Sequence, residues 1–486
     1  MLSQSLLALP LYLSSIFGLG WFDKLLITSE AYQSTITEQN LLEHAENLVQ
    51  FSQIGGANTR VAGSVGHNAT VDYIKSQLDA TEFYDTYIQP FTYTYSRGNA
   101  TLSVGSTIYK AGYFSYGPAG KANAPLVIVN NSGCAKNDFP ADVAGRIALI
   151  IRGNCTFSDK VALSGAAGAA GAIIYNNQDG SLGSGTLSDV SNPLGPYVPA
   201  GGISGHDGQI LVAAVQSGKE VIGNLIVNAI VQVRNTANVV ATTKIGDHDN
   251  VITIGGHTDS VPEGPGINDN GSGSMAVLEL ARQLPNFKVN NAVRFGFWAG
   301  EEFGLLGAKH YAEHLSKEET SKIALYLNFD MLASPNFGYF VYDGDGKAFG
   351  VAGPAGSDHI EETFKDFFKS TNLQSAATKF DGRSDYAPFF DAGIATGGIL
   401  TGAEELKDEA GVARWGGEVG VAYDKCYHQA CDTMNNLDVT AWVHNTKGAA
   451  HAIAVYSNSL DGIPRPAEGR KPASQNLISP YAPQTA

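Results

Sequence analysis

Val251-Ile252-Thr253-Ile254-Gly255-Gly256-His257-Thr258-Asp259 opens the stretch that decides the fold, and Ala292-Val293-Arg294-Phe295-Gly296-Phe297-Trp298-Ala299-Gly300-Glu301-Glu302 closes it. Each begins as a short apolar run of strand length ending at glycine. Between them lies a Gly/Pro-rich loop with Asn268-Asp269-Asn270-Gly271-Ser272-Gly273, then a helical pattern whose apolar stripe is Met275, Leu278, Ala281 and Leu284. Strand, helix and strand at this spacing form a βαβ unit, so the two strands should be parallel and mostly buried. In open parallel sheets, reactive groups gather beyond the carboxyl ends of the strands. His257, Asp259, Asp269, Glu301 and Glu302 all fall at that edge.

The alternation continues outward. Downstream, the pattern predicts a helix over 305–315, a strand over 324–329 ending at Asp330, a strand over 337–342 and a helix over 360–371. A strand over 393–400, a loop bearing Cys426-Tyr427-His428 and a long helix over 438–460 follow. Upstream, two helical patterns begin near Thr37 and at Ala69, separated by the turn-rich loop Asn58-Thr59-Arg60-Val61-Ala62-Gly63-Ser64. Residues 83–113 alternate aromatic and polar side chains, a half-buried strand pattern. Residues 125–223 are rich in Gly, Ala and Val and hold no carboxylate–histidine cluster, so they read as an inserted module.

The fold class is therefore α/β: a mixed, mostly parallel sheet with helices on both faces, plus a smaller inserted domain. The expected division is a signal peptide at 1–20, a linker or pro-segment at 21–37 and the main domain's first part at 38–115. The insert covers 116–235, the main domain resumes over 236–460, and a flexible tail occupies 461–486.

A chain of 486 residues can bury a sizeable core, and 43% hydrophobic content is that of a globular protein. A net charge of -16 argues against nucleic acid as a partner. No run after the amino terminus is long enough to span a membrane. The apolar run from Leu6 to Phe17, followed by Gly18 and Gly20, reads as a secretory signal, although the usual Lys or Arg before it is lacking. Asn68, Asn99, Asn130 and Asn154 begin N-glycosylation sequons. Cys134 with Cys155 and Cys426 with Cys431 form two local pairs, expected as disulfides in such a chain. Export is the expectation, with a vacuolar or lysosomal lumen as the alternative.

Asp330 completes the constellation. Two imidazoles and three carboxylates at one sheet edge suit a pair of divalent cations with mixed nitrogen and oxygen ligation, zinc foremost. Such a pair can polarise a carbonyl and acidify a shared water. Successive side chains alternate along a strand, so Glu301 and Glu302 should divide the work: one ligates while the other takes the water's proton. Asp259 falls on the same face as His257 and can accept the ring's second N–H.

His257-Thr258-Asp259, Asn268-Asp269-Asn270, Gly300-Glu301-Glu302, Asn328-Phe329-Asp330 and Tyr427-His428 resemble, in order and spacing, the motifs of the aminopeptidase Y-like family of dizinc exopeptidases. Residues 116–235 resemble the protease-associated domain often inserted there, most clearly at Arg152-Gly153-Asn154-Cys155-Thr156-Phe157. The resemblance implies two zinc ions per chain, one held by His257, Asp269 and Asp330, the other by Asp269, Glu302 and His428. It implies Glu301 as general base and Tyr427 as oxyanion donor. Gly382-Arg383-Ser384-Asp385-Tyr386-Ala387-Pro388-Phe389 resembles the family's substrate-pocket segment, which places Arg383 and Asp385 at the substrate. The implied activity is removal of N-terminal residues from peptides with a free amino end, by a chain expected to be monomeric.

Other readings remain open at this point. His310 and His314 have zincin spacing, but Tyr311 stands where the motif needs Glu, so packing is favoured. Cys426 and Cys431 could be thiolate ligands. Trp298, Phe389 and Phe390 could line a specificity pocket or simply fill the core. A dizinc carboxypeptidase would use Arg383 and Arg294 for the substrate carboxylate. A noncatalytic binding protein could retain the peptidase fold.

Overall fold

Four parallel strands form the centre of the sheet: Asn291–Trp298, Asp247–His257, Ile323–Phe329 and Ala395–Leu400, side by side in that order. The structure is a computed structural model that describes residues 24–464. The expected signal peptide at 1–20 and residues 465–486 of the expected tail lie outside the described residues. Ile252, Ile254, Val293, Phe295, Leu325 and Leu327 are fully buried, as β-branched, aromatic and leucine residues covered on both faces should be. Glycine permits the tight spacing at the key strand's end: a Cβ at Gly256 would fall 2.5 Å from the carbonyl oxygen of Phe329.

Helices Glu38–Gln53, Gly273–Gln283, Ser357–Ser370 and Val439–Asn458 share one core with the sheet. Helices Leu306–Glu313 and Tyr386–Asp391 pack with Trp298 and Tyr326 in a second. Phe389 stacks on Tyr326 at 3.9 Å, and Trp298, Phe389 and Phe390 are buried there, so all three are core aromatics. The four parallel strands share a direction, so the residues after His257, Trp298, Phe329 and Leu400 share one edge.

Strand Ile222–Thr243 flanks this centre antiparallel to Asn291–Trp298. It also pairs with Tyr84–Val104 from Tyr84↔Thr243 to Val104↔Gly223, making a long ribbon. That ribbon carries out the insert, whose strands Gly120–Ile128, Ile147–Ile151, Gly171–Tyr175 and Ala200–Ile203 lie side by side around cores of their own, with Thr107–Ser115, from before the expected boundary at 116, added at the edge. The expected boundary at 235–236 falls inside the continuous strand. Cys134 and Cys155 are disulfide-bonded, and the buried Lys160 ammonium donates to Ser132 O (2.5 Å) and Gly153 O (2.7 Å) beside them.

Residues 24–36, within the span expected as a linker or pro-segment, pack against the main domain. Tyr32 in helix Ser29–Gln33 is buried and donates to Leu280 O at 2.6 Å, while Asn458 Nδ2 donates to Ile27 O. Asn68, Asn99, Asn130 and Asn154 are exposed, whereas Asn270 is buried. His310 stacks on Phe91 at 4.9 Å and on His314 at 4.0 Å, a packing arrangement away from the site.

Candidate active site

The sheet edge brings the five expected ligands together around Asp269. Asp269 Oδ1 stands 3.3 Å from His257 Nε2, and Asp269 Oδ2 stands 3.2 Å from His428 Nε2. Asp330 Oδ1 is 3.5 Å from His257 Nε2, and Glu302 Oε2 is 3.1 Å from His428 Nε2. The carboxylate of Asp269 therefore joins two groups, His257 with Asp330 and His428 with Glu302. Segments from positions 257 to 428 converge here.

Local structure explains the placement. His257 and Asp330 end or follow parallel strands. Glu301 and Glu302 lie in the helical turn Glu301–Phe303, flanked by left-handed Gly300 (φ 76°) and Gly304 (φ 110°), which glycine adopts without strain. The turn sends the Glu302 carboxylate to His428 and leaves Glu301 in the cavity wall. Asp259 Oδ1 accepts from Gly300 N (2.8 Å) and Glu301 N (3.1 Å) and faces His257 Nδ1 at 3.5 Å. Its firmest bonds thus hold the glutamate turn. Cys426 and Cys431 are disulfide-bonded and close the short loop that presents His428, itself at a left-handed φ of 56°.

The donor set fits divalent cations. Glu301 Oε1, Glu302 Oε1 and Asp330 Oδ1 are buried without a hydrogen-bond partner. Orphaned buried oxygens are costly, and a cation resolves that cost. Charge tells the same story. Burial opposes protonation of His428, yet hydrogen bonds from its ring to the carboxylates of Asp269 and Glu302 push its pKa up to about 11. Burial and then Asp269 push Glu302 up to about 7, and burial holds Glu301 well above the usual carboxylate range. Too many carboxylates share too little solvent.

A cavity of about 100 Å³ opens over these groups. Glu301, Asp330, Tyr427 and His428 line it, with Met331, Tyr342 and Leu400 as apolar wall and Lys379, Asp381, Arg383 and Glu405 as charged wall. Tyr427 stacks on His428 at 3.8 Å, and its hydroxyl accepts from Arg383 Nη2 at 3.2 Å. Arg383 Nη1 is 2.8 Å from Glu404, so that guanidinium is already paired. Arg294 bonds Thr242 and Tyr311 instead and is not in this wall. Asp385, expected at the substrate, corrects that expectation: it is fully buried at the start of helix Tyr386–Asp391 and does not line the cavity.

Sequence reasoning passed over several residues that build the site. Ser384 Oγ donates to Asp330 Oδ2 at 2.6 Å and accepts from Asn328 Nδ2, which leaves Asp330 Oδ1 toward His257. Asp432 accepts from the backbone N–H groups of Asn268 (2.8 Å) and Asp269 (3.0 Å), and Asp424 accepts from Asn268 Nδ2. Asp432, one residue past Cys431, carried a faint signal; burial pushes its pKa up to about 7.

A metal-ready sheet edge in an α/β domain, with a second domain on a ribbon, fits a metallopeptidase, and known proteins similar to this chain make the class metallo-aminopeptidase. Residues 238–453 match Peptidase family M28, and residues 122–211 match the PA domain. "Probable leucine aminopeptidase 2" of Aspergillus fumigatus is 46% identical over 460 residues, covering 93% of this chain and 91% of that protein. "Leucine aminopeptidase 2" of Trichophyton rubrum is 45% identical over 455 residues, covering 93% and 91%. Among solved structures, an aminopeptidase from Aneurinibacillus is 28% identical with a TM-score of 0.69, covering 91% of this chain and 99% of that one. A zinc aminopeptidase from Bacillus subtilis is 26% identical with a TM-score of 0.59, covering 87% and 98%. The chain belongs to Peptidase family M28.

Proposed function

We propose that this metallo-aminopeptidase removes leucine and similar apolar residues from the free amino end of peptides, with two zinc ions at the site. The observation that carries the reading is the double engagement of Asp269, one oxygen toward each imidazole. The fungal relatives are named leucine aminopeptidases, and Met331, Tyr342 and Leu400 offer the cavity's apolar wall. Glu301, Asp330, Asp381 and Glu405 give the same cavity acidic groups for a substrate ammonium.

His257, Asp269 and Asp330 would hold one ion, and Asp269, Glu302 and His428 the other. Bound there, the ions supply Lewis acidity and a water acidified to near neutral pH. Glu301, with Oε1 unpartnered, takes the water's proton and returns it to the departing amine. The Tyr427 hydroxyl accepts from Arg383, so its own proton is left to donate to the oxyanion. The cavity's two basic side chains, Arg383 and Lys379, each face a carboxylate, Glu404 at 2.8 Å and Asp381 at 3.8 Å, which disfavours capture of a substrate carboxylate and hence carboxypeptidase action. Secretion is part of the proposal, supported by the apolar amino-terminal run, two disulfides and four exposed sequon asparagines.

Peptides blocked at either end test this directly. N-acetylated peptides should be inert and C-terminally amidated ones cleaved, with activity lost on chelation or in Glu301→Gln. Cleavage of N-acetylated peptides, or full activity in Glu301→Gln, would refute it.

A further inference from the structure

Arg60 lies in the loop 58–64, outside the span that matches Peptidase family M28, yet it reaches the metal-site loop about two hundred positions away. Its side chain is fully buried. Nε donates to Pro265 O at 2.9 Å, Nη2 to Gly266 O at 2.5 Å, and Nη1 to Thr258 O. Its backbone N–H donates to Ser260 Oγ at 2.8 Å. One residue therefore ties together both ends of the turn between His257 and Asp269. Gly266 is left-handed at φ 63°, and its carbonyl also accepts from Gly271 N at 3.0 Å, so the chain turns sharply where the guanidinium grips it. From the opposite side, Asp432 holds the N–H groups of Asn268 and Asp269.

A buried cation needs compensation. Burial lowers the Arg60 pKa to about 10, with Asp259, Asp432, Asp269 and Glu302 opposing that shift, so it stays charged at neutral pH. A planar fork with five donors suits several carbonyls at fixed angles; an ammonium does not reproduce it.

We propose that Arg60 is a positioning residue of the metal centre, fixing the turn between His257 and Asp269 so that each Asp269 oxygen faces its own imidazole. The proposal rests on the two-cation reading above. The positive charge of Arg60 by itself repels a cation, so the support it gives to ion affinity is geometric, through the turn it holds.

The test compares wild type, Arg60→Gln and Arg60→Lys. Dissociation constants for Zn2+ come from chelator competition, site geometry from the visible spectrum of the Co2+-loaded protein, and fold from circular dichroism of the metal-free protein. Arg60→Gln should bind Zn2+ roughly 10- to 100-fold more weakly, the range for groups that orient metal ligands, with an altered Co2+ spectrum and kcat lowered more than KM is raised. Arg60→Lys keeps the charge but not the planar fork, so it should bind Zn2+ no more tightly than Arg60→Gln and keep the altered spectrum. A folded Arg60→Gln with wild-type affinity and spectrum would overturn the proposal. If that variant does not fold, Arg60→Lys decides, and a wild-type spectrum in it overturns the proposal equally. If the wild type itself binds no divalent cation, the two-cation reading fails first.

Discussion

Replacing Asp259 by alanine should disable the enzyme while leaving its fold in place. Asp259 Oδ1 accepts the Gly300 and Glu301 N–H groups at 2.8 and 3.1 Å, in a position with no solvent exposure. Alanine strands both donors, and each buried unsatisfied N–H costs about 1–3 kcal/mol. The turn holding Glu301 and Glu302 then moves to find other partners. A displacement near 1 Å at reacting groups costs roughly a hundredfold in rate. Asp259→Ala should therefore lower kcat for a chromogenic leucyl anilide by about that factor or more. Asp259→Asn keeps an acceptor oxygen but loses the charge, and charge-assisted bonds are about twice as strong as neutral ones. Its loss should be smaller, roughly tenfold. The assay is steady-state kinetics on protein of verified metal content. A kcat for Asp259→Ala equal to wild type would refute the idea that this carboxylate sets the glutamate turn.

Two further outcomes follow from the same geometry. Burial lowers the His67 pKa to about 4, so the native state refuses a proton that the unfolded chain accepts below its ordinary 6.5. Wild type should lose stability as pH falls from 6.5 to 4, by about 3 kcal/mol from this group. His67→Gln should remove that slope, so urea unfolding at pH 7 and 4.5 should show the variant gaining on wild type at the lower pH; a constant difference would count against it. Converting Cys426 and Cys431 together to Ser should cost about 2 kcal/mol by loop-entropy reasoning. It should also weaken ion retention, since His428 sits between them; calorimetry and metal analysis check the two effects.

The βαβ core could be read because its strands are short apolar runs ending at glycine, and the parallel arrangement then put His257, Asp269, Glu302 and Asp330 at one edge. His428 was different. It lies in a loop without periodicity, and only the resemblance to known exopeptidases paired it with Glu302. Arg60 and His67 left no trace in local pattern, and Asp432 only a faint one, because they act through backbone and hydroxyl groups far along the chain. His67 Nε2 bonds Thr258 Oγ1 at 2.9 Å, and nothing near position 67 announces that. Helix Ser29–Gln33 spans barely more than a turn, too short for an apolar stripe, so its burial of Tyr32 escaped notice. Helix Tyr386–Asp391 is equally short and contains Pro388, which hid both it and the burial of Asp385. Asp385 was placed at the substrate by motif alone, and a motif does not say which way a side chain turns.

Metal analysis of wild type beside Asp269→Ala tests the central claim most directly. Two ions per chain in the wild type, with both lost or greatly weakened in the variant, is the predicted result. A single ion in the wild type, or a variant that still holds two with unchanged affinity, would contradict a centre built on one shared carboxylate.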